Sequence, residues 1–122
     1  MEKYLDIIRR VLELSDTVLE GLRYVQARLD KGDFIQTFEM LNDVVSGINS
    51  MVGALQPMME DELADSLVPL TDELNRALDT LVTAYEQNQS LEAMSILRIN
   101  LTPAYLEWQA ELNRQLHPLI LS

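Results

Sequence analysis

The chain has 122 residues, of which 48 % are hydrophobic, 6 % aromatic and none cysteine, and its formal net charge is −11. That length suits a single domain over residues 1–122 with an aliphatic core that needs no staples, and the lack of cysteine removes disulfides, thiolate nucleophiles and the usual zinc sites. So negative a surface repels nucleic acid and anionic lipid, whose phosphates are bound by clustered Lys and Arg.

The N-terminal stretch MEKYLDIIRRVLELSD carries a charge at every turn. It matches neither a secretory signal nor a membrane span. The expectation is a soluble cytoplasmic protein without membrane contact. The motifs NQS (88–90) and NLT (100–102) fit the glycosylation pattern but mean nothing without secretion. The first predicted helix carries Met1, Tyr4, Ile8, Val11, Ser15, Val18, Leu22, Val25 and Leu29 in steps of three and four. Leu5, Leu12 and Leu19 flank this stripe on one side, Ile7 and Leu14 on the other. Its apolar face is therefore wide enough for two neighbours or for a second subunit.

Gly32 is placed to end that helix and Asp33 to cap the next. The second predicted helix carries Phe34, Phe38, Leu41, Val45, Ile48, Val52 and Leu55, and Pro57 should stop it. Gly47 and Gly53 weaken it while permitting close approach of a neighbour. Residues 58–70 read as helix or loop, because Pro69 interrupts a helical spacing of leucines. Leu70, Leu74, Leu78, Leu81 and Tyr85 then define a third helix, with a turn at Asn88 and Ser90. The fourth carries Leu91, Met94, Leu97, Leu101, Tyr105, Trp108, Leu112 and Leu116, and should end at Pro118. Pro103 lies inside it and should kink it.

These four helices predict an all-α, antiparallel, up-down-up-down four-helix bundle. It could consist of two similar helical hairpins, since residues 56 apart pair Ser15-Asp16 with Thr71-Asp72, Gly32 with Asn88, and Val45 with Leu101. Any two heptad patterns match at a multiple of seven, so only the turn and the Ser-Asp pair are independent evidence.

Chemistry-bearing sets are absent from the sequence. The one histidine, His117, has no marked partner acid or nucleophile. There is no Glu-x-x-His for a di-iron bundle, no Gly-rich phosphate loop and no nucleophile elbow. No catalytic, cofactor or metal site is predicted. What stands out is residues 32–75, which hold nine acids and no Lys or Arg. Within them Glu60, Asp61, Glu62 and Asp65 form an acidic run beside Met58 and Met59, residues suited to filling a core or to adaptable partner surfaces. A second candidate is the Pro103 bend, where Arg98, Asn100, Tyr105 and Trp108 would surround a pocket or, more plainly, fill the core.

The turn LDKGDFIQTFEML (29–41) resembles the hairpin turn of small helical export chaperones of the flagellar type, and tetratricopeptide-like hairpins have similar turns. The resemblance covers only the turn and its flanking helix ends, and implies a helical hairpin and chaperone-like binding. The chain also looks like the small acidic helical proteins common in bacteria. The function expected from the sequence is a non-enzymatic interaction module, an adaptor or chaperone. It would bind a partner protein or a second copy through Leu5, Leu12, Leu19, Met58, Met59 and the acidic run. The alternative is a small-molecule site at Pro103.

Overall fold

The apolar spacing resolves into four helical rods packed as an all-α bundle in a computed structural model that describes residues 4–61 and 65–121. Helix α1 spans Leu5–Asp30, a 3-10 turn spans Ile35–Thr37, α2 spans Phe38–Asp61 and α3 spans Leu67–Glu86. The fourth rod is α4 (Ser90–Ile96), a π turn (Leu97–Leu101) and α5 (Thr102–Leu121), joined through helical torsions at Leu97 and Thr102. Helix α1 packs on both α2 and α5, and α3 packs on the whole of the fourth rod. Hydrogen bonds join Ser15 to Tyr105 and Gln109, Asp30 to Arg98, Ser66 to Glu111, and Thr71 to Trp108. Along each of these seams one residue number rises as the other falls.

In α1 the stripe Ile8, Val11, Ser15, Val18, Leu22, Val25 and Leu29 is buried as its spacing predicts. In α2 the buried stripe is Leu41, Val44, Ile48, Met51, Leu55 and Met58. Val45 and Val52, taken as core from sequence, only edge it. Phe38 stays 42 % exposed while its ring meets Phe34 and Tyr85 edge to face, with centroids 5.0 and 5.1 Å away. Leu91, assigned to the fourth stripe, is exposed on the first turn of α4, where Ala93 takes the buried side.

Two prolines, Pro57 and Pro118, behave differently from expectation. Pro57 lies inside α2, which runs on to Asp61. Losing one backbone bond costs about 3 kcal/mol, and continuing the helix keeps Met58 fully buried, which returns about 1.5–3 kcal/mol. Pro118 lies inside α5, whose last turns rest Leu119 and Ile120 against the core. Pro69 sits in the first turn of α3, where its missing N–H has no helical partner to lose.

Helices α1 and α3 end alike. Gly32 (φ 82°) and Asn88 (φ 57°) both adopt the left-handed conformation. Asp33 N donates to Arg28 O as Gln89 N donates to Ala84 O, and Gly32 N to Leu29 O as Asn88 N to Tyr85 O. These are paired Schellman ends, 56 residues apart in each atom. Burial follows the same offset: Val11 with Leu67, Ser15 with Thr71, Val18 with Leu74, Gly21 with Ala77, Leu22 with Leu78, Val25 with Leu81 and Leu41 with Leu97 are all buried.

Beyond the π turn the offset becomes 57. Val44 now matches Leu101, Gly47 Ala104, Ile48 Tyr105, Met51 Trp108 and Leu55 Leu112, again all buried. The sequence pairing of Val45 with Leu101 is thus one residue out. The reason is geometric: Thr102 N donates to Leu97 O, a five-residue span that takes up one extra residue. The wider turn also gives the ring of Pro103 room that a tight α-turn denies it.

Candidate functional site

The residues of α1 on the side toward α2 include Ile7, Arg10, Leu14, Thr17, Gly21 and Tyr24, again at helical spacing. Those of α2 beside them are Met40, Asp43, Val44, Ser50 and Ala54. Between the two helices runs an apolar groove. Its wider part, of about 510 Å³, is lined by Leu14, Thr17, Val18, Gly21, Tyr24, Met40 and Val44, with Glu20 and Asp43 on its edges. A narrower part of about 210 Å³ continues past Leu14 to Ile7, Arg10, Val11, Ser50, Met51 and Ala54. All of the lining comes from α1 and α2.

Glycine sets the depth of this contact. A Cβ on Gly21 would stand 2.8 Å from Val44 Cγ2 and 3.3 Å from Met40 Sδ, and one on Gly47 would stand 2.6 Å from Val18 Cγ2. Two helices therefore meet at a separation that side chains would forbid. Tyr24 rises from the groove 40 % exposed, with the Arg28 guanidinium 5.4 Å from its ring centre and Asp33 accepting from the same guanidinium at 3.3 Å. Arg28 is thus already paired at that end.

The equivalent surface on the other hairpin, between α3 and the fourth rod, is a polar depression of about 330 Å³ lined by Glu73, Arg76, Ala77, Thr80, Ile99, Asn100, Pro103, Ala104 and Glu107. By the offsets above, Glu73 stands for Thr17, Arg76 for Glu20, Ala77 for Gly21 and Thr80 for Tyr24, and counted back from the Val44–Leu101 pair, Asn100 within the π turn stands for Asp43. One architecture carries two groove positions, and only the first is apolar.

The sequence-predicted pocket is not assembled at Pro103. Arg98 and Asn100 are exposed, and Arg98 pairs with Asp30. Tyr105 and Trp108 are fully buried, so they cannot line the depression. The Tyr105 hydroxyl donates to Ser15 O at 2.7 Å, and Trp108 Nε1 donates to Thr71 Oγ1 at 3.0 Å. Burial, with Asp16 nearby, pushes the Tyr105 phenol above its ordinary range. Gln109 completes the seam by donating to Ser15 Oγ and Asp16 Oδ1, both at 3.1 Å. Two aromatics on one rod thus pin both α1 and α3.

The predicted partner surface is also redistributed. Met58 is fully buried and is core, not surface; Met59 is half-buried against it. Leu12 is buried, whereas Leu5 and Leu19 are half-buried. The two flanks of α1 serve different neighbours: Leu12 lies toward Asn113 and His117 of α5, and Ile7 and Leu14 toward α2. Asp65 is exposed in the turn before α3. Glu62 lies outside the described residues, and Glu60 and Asp61 are placed only as the end of α2. Sequence reading missed Thr17, Gly21, Tyr24, Met40 and Asp43. A signal was present, since Leu14, Thr17, Gly21 and Tyr24 continue the spacing of Ile7 on a face that already looked too wide.

At the far end Glu111 accepts from Arg114 Nε at 2.8 Å, Gln115 at 2.6 Å and Ser66 Oγ at 2.9 Å, tying the start of α3 to α5. Those bonds, Arg114 foremost, lower its carboxyl to about 2. Among the described residues no helix is long and apolar enough to cross a membrane.

The chain belongs to the family described as Domain of unknown function (DUF8042), whose model matches residues 6–111 and so spans both hairpins and the groove. Comparison with curated proteins and with solved structures gives no match.

Proposed function

We propose that this protein is a non-enzymatic interaction module, of adaptor or chaperone type, that receives a helix of a partner protein in the α1–α2 groove. The observation that carries this reading is the contrast between the two equivalent groove positions. The fold supplies the same concavity twice, and only the one bearing Gly21 and Tyr24 offers an apolar floor. A partner helix would lay its apolar face there, the helix-in-groove mode of recognition. Met40 adds an adaptable wall. Tyr24 supplies large contact area at little entropic cost, as aromatic anchors do at interfaces.

A concave groove is a poor match for the same groove on a second copy, and two chains of charge −11 repel. That favours a different protein over self-association. The same charge disfavours nucleic acid, and the lack of cysteine accords with a cytoplasmic setting. A small-molecule site at Pro103 has lost its two aromatic walls to the core.

The test uses Thr17→Trp, which fills the groove from an exposed position. Wild type and variant, equal in helical content and melting, are used to capture proteins from a lysate of the source cells. The expected result is a partner held in a one-to-one complex by wild type and lost with Thr17→Trp. Identical capture by both would overturn the reading.

A further inference from the structure

The groove is electrically asymmetric. Glu20 and Asp43 edge its wide end beside Tyr24, and Arg10 edges its narrow end beside Ile7 and Ala54. Helix α2 carries no Lys or Arg anywhere along its length, so nothing on that wall offsets Asp43. Arg28, the guanidinium over the Tyr24 ring, is held by Asp33. In the polar depression of the second hairpin the matching positions are Arg76 and Asn100, so the acidic pair belongs to the apolar groove.

From Ile7 to Tyr24 the groove follows about 25 Å of α1, the length of a helix of about 17 residues. A helix has a positive N-terminal and a negative C-terminal end, each worth about 0.3–1 kcal/mol against a nearby charge. Laid with its N-terminus over Glu20 and Asp43 and its C-terminus at Arg10, it runs alongside α2 in the same direction. Basic side chains in its first turns would add rim attraction, which acts mainly on association rate.

Building on the proposed helix-binding role, we propose that the occupant is an amphipathic partner helix with Lys or Arg in its first two turns, bound in one direction, its N-terminus at Glu20 and Asp43. Its chemistry is complementary to the rim and its length to the groove.

The probe is a displayed library of 17-residue amphipathic helices with a fixed apolar face and random charges elsewhere. It is selected on the full chain and counter-selected on Thr17→Trp. The expected winners carry basic residues in the first two turns, and lose about tenfold in on-rate against Glu20→Arg with Asp43→Asn at low salt. Those two substitutions copy residues the second hairpin already accommodates. A spin label at the winner's first residue should broaden amide signals near Tyr24 and Met40, not near Ile7 and Ala54. Winners without that charge bias, or seated in the opposite direction, would overturn this inference and leave the helix-binding role standing. No enrichment that depends on Thr17 would overturn both. A self-associated chain, dissociated by Thr17→Trp in sedimentation equilibrium, would make the occupant a second copy and overturn the inference.

Discussion

Where α1 meets α2 the closest positions are Gly21 and Gly47; where α3 meets the fourth rod the same positions hold Ala77 and Ala104. One methyl at each of two sites separates a hairpin whose helices interlock at glycine from one whose helices rest on alanine. The side chains outside that contact differ to match. Tyr24, Met40 and Val44 surround the glycine groove, while Arg76, Thr80 and Asn100 surround the alanine one. A repeated scaffold can thus devote one half to recognition and the other to support, with the core positions unchanged in kind.

The largest break in this comparison should come from the core. Trp108→Ala removes a fully buried indole and should cost about 3–5 kcal/mol in urea denaturation; its counterpart Met51→Ala should cost about 2–5 kcal/mol. A loss under 1 kcal/mol at both would refute the shared core. Gly47→Ala comes next. Its methyl must displace Val18, a cost of about 1–3 kcal/mol, whereas Ala104→Gly should cost only about 1 kcal/mol through helix propensity. Equal costs would mean that close approach does not distinguish the hairpins.

At the turns, Gly32→Ala should lose about 1–2 kcal/mol because alanine resists a φ of 82°, and Asn88→Gly should gain up to about 1 kcal/mol for the same reason. Opposite signs in thermal melts would support the equivalence of the two helix ends. Deleting Asn100 together with Pro103→Ala should turn the π turn into ordinary helix and leave stability within about 1 kcal/mol. Loss of a cooperative transition would show that the extra residue is structural rather than inserted. The smallest effect concerns Glu111. Its carboxyl is lowered in the folded state, so the stability it contributes is complete above about 4.5 and is lost as pH falls through about 2. Glu111→Gln should therefore show a shallower loss of stability over that window in acid titrations, and an unchanged slope would remove the Ser66 tether from the account.

Much of the bundle was legible because α1 and α3 bury a stripe in regular steps of three and four. The second helix was harder for a reason visible in its residues. Both Val44 and Val45 are apolar, as are Met51 and Val52, and spacing alone cannot say which of two adjacent hydrophobes turns inward. Pro57 and Pro118 read as stops because sequence shows the lost hydrogen bond but not the burial that offsets it. The groove was hidden for a different reason. Its floor is Gly21, which has no side chain to register in an apolar pattern, and its aromatic wall, Tyr24, reads as surface. The π turn left no mark beyond a proline, and its effect surfaced only as a one-residue slip between the halves.

The hydrogen bond from Tyr105 to Ser15 joins residues 90 apart in sequence. Each hairpin closes over a short turn, but this seam must bring together opposite ends of the chain, and contacts of such separation carry the larger loop-closure cost. Nascent chain leaving the ribosome can pair α1 with α2 long before the fourth rod exists. Until that rod arrives, the α1 surface around Leu12 and Ser15 is bare, and the interval of greatest exposure to aggregation is set by the time needed to synthesise residues 62–121.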